Sequence, residues 1–449
     1  MVTINQALRR VKADLAKRLS PDMILNQCRK LGHTWRQSLL NPATTLHLFL
    51  MQILAGNTAC QHLRHLSGLA FTASAYCQAR ARLPLALLQD LVRQTGQQLS
   101  AGGDATSRWQ GHRLFLVDGA CNSMPDTPAL QAHFGQPRGQ AGGCGFPVAS
   151  TLLLLHAHSG AILDLLVRPL DVHDLSGVAQ LHPHLRPGDV LIGDRAFSSY
   201  AHLCLLRARE LHGIFRLHQK TLVSFRSRRR HAAACPKSQR RGRPTSRWLR
   251  RLGPCDQLVE YVKPKAKPSW MSPAQFAALP ATLVVRELRC RIRRHGFRVQ
   301  QVTLMTTLLD PQRYPAAELA QRFLERWMIE GSIDHLKTTL GAAVLHCKTV
   351  EGVTKELWAF ALTYHLVRQV MVEAAARQQV AVTRVSFVDA LCWLACAQVG
   401  AALCDLVVNP LREGRFEPRV IKRRMKEYPL MTKPRAVLKQ EMEHQRVAA

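Results

Sequence analysis

Apolar and polar positions follow two different periods along this chain, and the change of period divides it. Up to about residue 105 the spacing is helical. Residues 1–30 read as an amphipathic basic helix. Pro42 opens an apolar-periodic segment through Leu54, and two more follow over 58–67 and 72–83, with Gly68 in the short link between them. Three short helices with a glycine-containing turn fit either a helix-turn-helix or a plain bundle. In the first case Tyr76, Gln78, Arg80 and Arg82 would form a DNA-facing side. Gly102-Gly103-Asp104 marks a boundary.

From Leu114 the pattern becomes that of buried strands. A short apolar run, 114–117, ends in Asp118-Gly119, and a glycine-rich stretch spans 135–145. Residues 148–156 turn at His158-Ser159-Gly160 into 162–167, which predicts a hairpin. A helix over 175–185 precedes a strand at 189–193 that ends in Asp194-Arg195-Ala196-Phe197. A helix over 200–211 and a fifth strand at 214–217 complete the run. The order predicts an α/β fold with a mixed five-stranded sheet and flanking helices. Acidic residues fall at its strand ends, where sites in open sheets gather.

A basic segment interrupts this pattern over 219–308. Between Lys220 and Arg298 there are 21 lysines and arginines against three acids, with dense clusters at Arg226, Arg228, Arg229, Arg230 and at Arg240, Arg241, Arg243. Residues 283–298 alternate as strands do, and 302–308 is strand-like. Helices follow over 316–340 and 353–377, and from 382 the chain is helical and then basic. The expected division is an N-terminal helical region (1–105), a core in two parts (106–218 and 309–378) around a basic, β-rich insertion (219–308), and a C-terminal helical and basic region (379–449).

Charge narrows the function classes. Lys and Arg total 62 against 30 Asp and Glu, a formal +32. A field of that size costs self-repulsion unless a polyanion neutralises it, and nucleic acid is the commonest such partner. No apolar run reaches the ~18 residues of a membrane span. The 13 cysteines are scattered singly with no CxxC pair. Cys392 and Cys396 are read as one buried face of an apolar helix, and the chain as a resident of a reducing bacterial cytoplasm, associated with the nucleoid.

Three carboxylates stand out by position: Asp118 and Asp194 each end an apolar strand, and Glu330 lies within a helix beside Trp327 and Ile329. Alone, an Asp at a strand end reads as a turn or cap. Together, grouped carboxylates raise one another's pKa unless a cation lies between them, and their hard oxygens favour Mg²⁺ or Mn²⁺. Two such ions could activate the nucleophile and stabilise the leaving oxygen of a phosphodiester. Arg326, four residues before Glu330, and Lys337, seven after it, would share its helical face and hold flanking phosphates.

The segments Leu116-Val-Asp-Gly-Ala, Ile192-Gly-Asp-Arg-Ala-Phe and Arg326-Trp-Met-Ile-Glu-Gly, with Lys337 downstream, resemble the DDE transposases of the IS-four family of bacterial insertion sequences. That family's third motif is Y-x2-R-x3-E-x6-K; Arg326, Glu330 and Lys337 fit it, and Phe323 stands where Tyr is usual. The resemblance covers about residues 40–435, including Ser74 to Pro84. It implies an RNase H-like core interrupted by a β-rich insertion, catalytic Asp118, Asp194 and Glu330 holding a pair of ions, and action as a homodimer on double-stranded DNA. Relatives that cut through a DNA hairpin stack an insertion Trp on a flipped base, for which Trp248 and Trp270 are the candidates here. Arg195, Trp327 and the Arg240, Arg241, Arg243 cluster are further expected DNA contacts.

The function this implies is cut-and-paste transposition: cleavage at the terminal inverted repeats of a transposon and strand transfer into target DNA. Two rivals stay open at this point, a nuclease of the same fold class that does not join strands, and a non-catalytic DNA-binding relative.

Overall fold

The central strands of the chain are mostly apolar on both faces because helices cover both. In a computed structural model of the chain, which describes residues 19–101, 108–218, 221, 223–228, 232–233, 244–292, 300–396, 402–410 and 431–447, five helices come first. They are α1 (Pro21–Lys30), α2 (Pro42–Leu54), α3 (Leu63–Ser67), α4 (Ala73–Arg82) and α5 (Leu85–Ala101). Polar side chains open several of them: Ser20 accepts from Met23 N, Asn41 from Thr44 N and Thr72 from Ala75 N, each satisfying a donor that a helix start leaves unpaired. Next come β1 (Leu114–Ser123), α6 (Pro128–Phe134), β2 (Val148–His156), β3 (Ile162–Pro169), α7 (Asp174–Leu181), β4 (Val190–Gly193), α8 (Tyr200–Ala208) and β5 (His212–Arg216).

The sheet does not stop at five strands. β6 (Ala232–Ala233), β7 (Thr245–Gly253), β8 (Asp256–Val262), a short helix α9 (Pro273–Ala277), β9 (Thr282–Ile292) and β10 (Gln300–Thr306) continue it. Ten strands run in the order β3-β2-β1-β4-β5-β10-β9-β8-β7-β6. Only β1, β4 and β5 are mutually parallel; every other pairing is antiparallel. The expected five-stranded sheet is therefore half of a continuous one, because β10 pairs with β5 (Leu304 opposite Arg216) and carries the basic segment's strands into the same ladder. Arg286 on β9 anchors the joint. It is fully buried, donates from Nε to Asp256 Oδ1 at 2.8 Å, and reaches Tyr314 O with Nη1 at 2.7 Å.

The period of two sorts the side chains of β1. Leu114 and Leu116 point to the face covered by α5 and by the long helix of Val350–Gln378; Phe115 and Val117 point to the face covered by α7 and α8. After β10 come α10 (Ala316–Leu324), α11 (Trp327–Asp334), α12 (Val350–Gln378), α13 (Phe387–Cys396) and α14 (Arg435–Val447). α12 runs between the sheet and the N-terminal helices, with Trp358, Phe360, Leu362 and Leu366 all buried. No helix among the described residues is long and apolar enough to cross a membrane.

Several expectations are corrected here. Tyr76 does not face outward: it is fully buried, and its hydroxyl donates to Gln52 Oε1 at 3.0 Å. Arg80 also turns inward, toward Gln52 and Cys347. Only Gln78 and Arg82 remain on the outer side of α4, so the four do not form one DNA-facing surface. Cys392 and Cys396 are exposed; α13 buries Phe387, Ala390 and Leu394 instead. Of the expected helix over 58–67 only Leu63–Ser67 forms. Residues 1–18 of the predicted basic helix lie outside the described residues.

His182 and His202 lie on the α7/α8 face of the sheet. His202 Nδ1 lies 2.7 Å from Phe197 O and must carry the proton of that bond, so its Nε2 accepts from His182 Nε2–H at 3.1 Å. That arrangement needs the His202 ring neutral, and burial disfavours a charge on either ring. Burial pushes His202 down to about 4 and His182 to about 3, the latter helped by its histidine partner. In the unfolded chain both take up protons near pH 6.5. The stability they contribute is therefore present above that value and falls as the pH drops toward 4. The thermal midpoint is expected to decrease between pH 7.5 and 5, and less steeply in His202→Asn. Equal slopes for the two proteins would remove this pair as the cause.

Candidate active site

β1 and β4 place the two aspartates, but only Asp194 follows a strand end as expected. β1 continues to Ser123 and leaves Asp118 in mid-strand, because its pairing with β2 runs on past the apolar run. The two strands run parallel with Val117 opposite Gly193, so Asp118 and Asp194 take the next position on neighbouring strands, which stand roughly 4.8 Å apart. Close approach requires glycine at 193: a Cβ there would lie 2.8 Å from the Phe197 ring and 2.9 Å from Val117. Asp118 accepts from its neighbour's amide, Gly119 N to Oδ1 at 2.9 Å.

Glu330 arrives on α11. The predicted single helix over 316–340 breaks at Glu325–Arg326 and restarts at Trp327, then widens into a π-helical turn at His335–Thr339. Arg326, at the break, bridges the carboxylates. Its Nη1 donates to Asp118 Oδ2 at 3.2 Å and its Nη2 to Glu330 Oε1 at 2.8 Å. The buried ring of Phe323 supports the guanidinium from 5.9 Å, a contact that needs an aromatic face and no hydroxyl. Burial raises the Asp118 carboxyl above the ordinary Asp value. Its bond to Gly119 N and the charge of Arg326 pull the other way, and Asp194 and Glu330 add to the rise. All three carboxylates thus share one electrostatic environment.

The other predicted residues scatter. Lys337 lies in the π-helical turn, half-buried beside Ala120, Asn122 and Leu336. Arg195 is exposed in the 3₁₀ turn after Asp194, and Trp327 is half-buried at the start of α11. Trp270 is half-buried in a turn of the insertion. Trp248 is half-buried on β7, and its indole Nε1 finds no acceptor among the described residues. Arg240, Arg241 and Arg243 lie outside the described residues. Sequence reasoning missed Arg168 and Asp174, whose ion pair abuts Gly119; no local pattern marks them, because only the return of β3 toward β1 brings them there.

The oxygen-only donor set suits a hard divalent cation. As they stand, the carboxylates close around a guanidinium; no group of three His, Cys, Asp or Glu side chains among the described residues is drawn together on one point. Residues 109–366 match the family model of the transposase DDE domain. The chain belongs to that family. The resemblance read from its motifs is thereby borne out. Over 380 residues, 80% of this transposase and 78% of the relative, it is 25% identical to the transposase InsG for insertion sequence element IS4 of Escherichia coli (strain K12). A 97-residue stretch, 21% of this chain and 32% of the relative, is 32% identical to the putative transposase InsZ of the same organism. Among solved structures, the piggyBac transposase synaptic complex with hairpin DNA aligns with 88% of this chain and 76% of its own, at 10% identity and a TM-score of 0.39.

Proposed function

We propose that this transposase cleaves DNA at transposon ends and joins them to target DNA, with Asp118, Asp194 and Glu330 holding two Mg²⁺ or Mn²⁺ ions. The observation that carries this reading is the placement of the three carboxylates: Asp118 within β1, Asp194 just past the end of its parallel neighbour β4, and Glu330 linked to Asp118 through Arg326. Bound divalent cations would supply Lewis acidity at the scissile phosphate and a nucleophile at neutral pH. The protein's part is positioning and charge. β1 and β4 hold Asp118 and Asp194 in register, α11 carries Glu330, and Arg326 neutralises the carboxylates or turns to a DNA phosphate. Arg195, Trp327 and Lys337 border the path of the DNA end.

The order β3-β2-β1-β4-β5, with its central parallel strands, supports an RNase H-like core formed by 106–218 and 309–378. The 219–308 insertion grips DNA, with Trp248 or Trp270 stacking on an unpaired base, and the protein acts as a homodimer on paired ends in the bacterial nucleoid.

Arg250 and Arg251 on β7 are exposed and are read as phosphate contacts. Changing both to Ala should lower the slope of log K against log salt by about two, roughly one per lost contact, as measured by fluorescence anisotropy with a duplex. An unchanged slope would take β7 out of the DNA path. The reaction is tested by giving purified protein a labelled transposon end and a target plasmid with Mg²⁺. Joined product is the expected result, and cleavage without joining would leave a nuclease of this fold.

A further inference from the structure

Gly119 follows Asp118 on β1 and faces the opposite side of the sheet. A Cβ built on it would lie 2.7 Å from Asp174 Oδ2 and 3.1 Å from both Oδ1 and Cγ. The Asp174 carboxylate thus rests directly against the strand backbone, where only glycine leaves room.

It is clamped there. Arg168 at the end of β3, nearly buried, donates from Nη2 to Asp174 Oδ1 at 2.6 Å and from Nη1 to His173 O at 3.0 Å. The guanidinium in turn sits close against α7: a Cβ at Gly177 would come within 2.9 Å of Nη1. His173 fixes the start of the helix, accepting from Leu175 N at 3.2 Å through its ring and from Ser176 Oγ at 2.6 Å through its carbonyl. α7 also lies beside the Arg195–Phe197 turn. One short helix therefore touches the residue after Asp118 and the residues after Asp194.

We propose that Asp174, held by Arg168, is a positioning residue that sets the direction of Asp118 relative to Asp194. The proposal rests on the reading of those two aspartates as the cation-holding pair. A displacement near 1 Å at such a site is enough to cost about 10²-fold in rate, and the clamp fixes β1 from the side opposite the carboxylate it presents.

The test uses the full-length protein without DNA, with Mn²⁺ binding followed by the electron paramagnetic resonance of the free ion and the thermal midpoint recorded in parallel. Asp174→Ala should weaken Mn²⁺ binding about tenfold. Asp174→Asn keeps the volume and an oxygen for Arg168, and should restore most of the affinity. Gly119→Ala leaves Arg168 and Asp174 chemically intact but drives them apart from the strand, so it should reproduce the Asp174→Ala loss. A lowered midpoint with unchanged Mn²⁺ affinity in Asp174→Ala would make the clamp merely structural and overturn the proposal. Equal losses in Asp174→Asn and Asp174→Ala would overturn it too, by making Asp174 a direct ligand. If Asp118→Ala binds Mn²⁺ as the unaltered protein does, the underlying site reading fails instead.

Discussion

Alanine at Asp118, Asp194 or Glu330 is expected to slow strand cleavage at a transposon end by about three orders of magnitude or more, with end binding held within a few-fold. Metal-assisted stabilisation of a phosphodiester transition state is worth several kcal/mol, and each 1.36 kcal/mol is about tenfold in rate. Binding depends on other groups. It draws on an excess of positive charge that reaches +32, and removing one carboxylate only adds to it. Asp118→Ala also leaves Arg326 its second partner, Glu330 Oε1 at 2.8 Å, so the helix break at 325–326 keeps its brace. Nicking of a labelled end and a mobility shift of the same end separate the two effects. Normal cleavage by Glu330→Ala would sink the site assignment.

Glu356→Ala should lower the free energy of unfolding by about 3–5 kcal/mol, the range for leaving buried charged groups without their partner. Glu356 on α12 is fully buried and accepts four hydrogen bonds. They come from Asn57 Nδ2 at 2.8 Å, from His346 N to its two oxygens at 2.9 and 3.1 Å, and from Cys347 N at 2.9 Å. Its charge also acts on Arg80, whose guanidinium is inside the same cluster. Deleting it leaves two backbone amides and the Asn57 side-chain amide without their acceptor. Urea denaturation followed by circular dichroism measures the loss; Glu356→Gln should fall between the two, and a loss below about 1 kcal/mol would show that the network relaxes around the gap.

The sheet was legible where burial is two-sided. A strand covered on both faces reads as a continuous apolar run, and the ends of those runs at Asp118 and Asp194 are therefore visible as places where a polar residue is tolerated. Glu330 was legible because Arg326 lies one turn before it, a local relation that the structure keeps. Non-local choices were hidden. Tyr76 and Arg80 look like an outer helix face until Gln52 on α2 is placed opposite them. The pairing of β10 with β5 joins residues some ninety apart, and no local pattern announces it. The wide turn at His335–Thr339 was hidden as well, since a period of 3.6 cannot anticipate it.

The continuity of the ten strands also bears on how this protein can be cut down. On the side away from β4, β5 is paired by β10 over Ile214–Arg216. A truncation that excised the basic segment through β10 would leave the central parallel strands with a bare, flat border, the kind of surface that recruits another chain and precipitates. The segment that reads as an accessory is also the seam allowance of the fold: trimming it frays the cloth that carries Asp194.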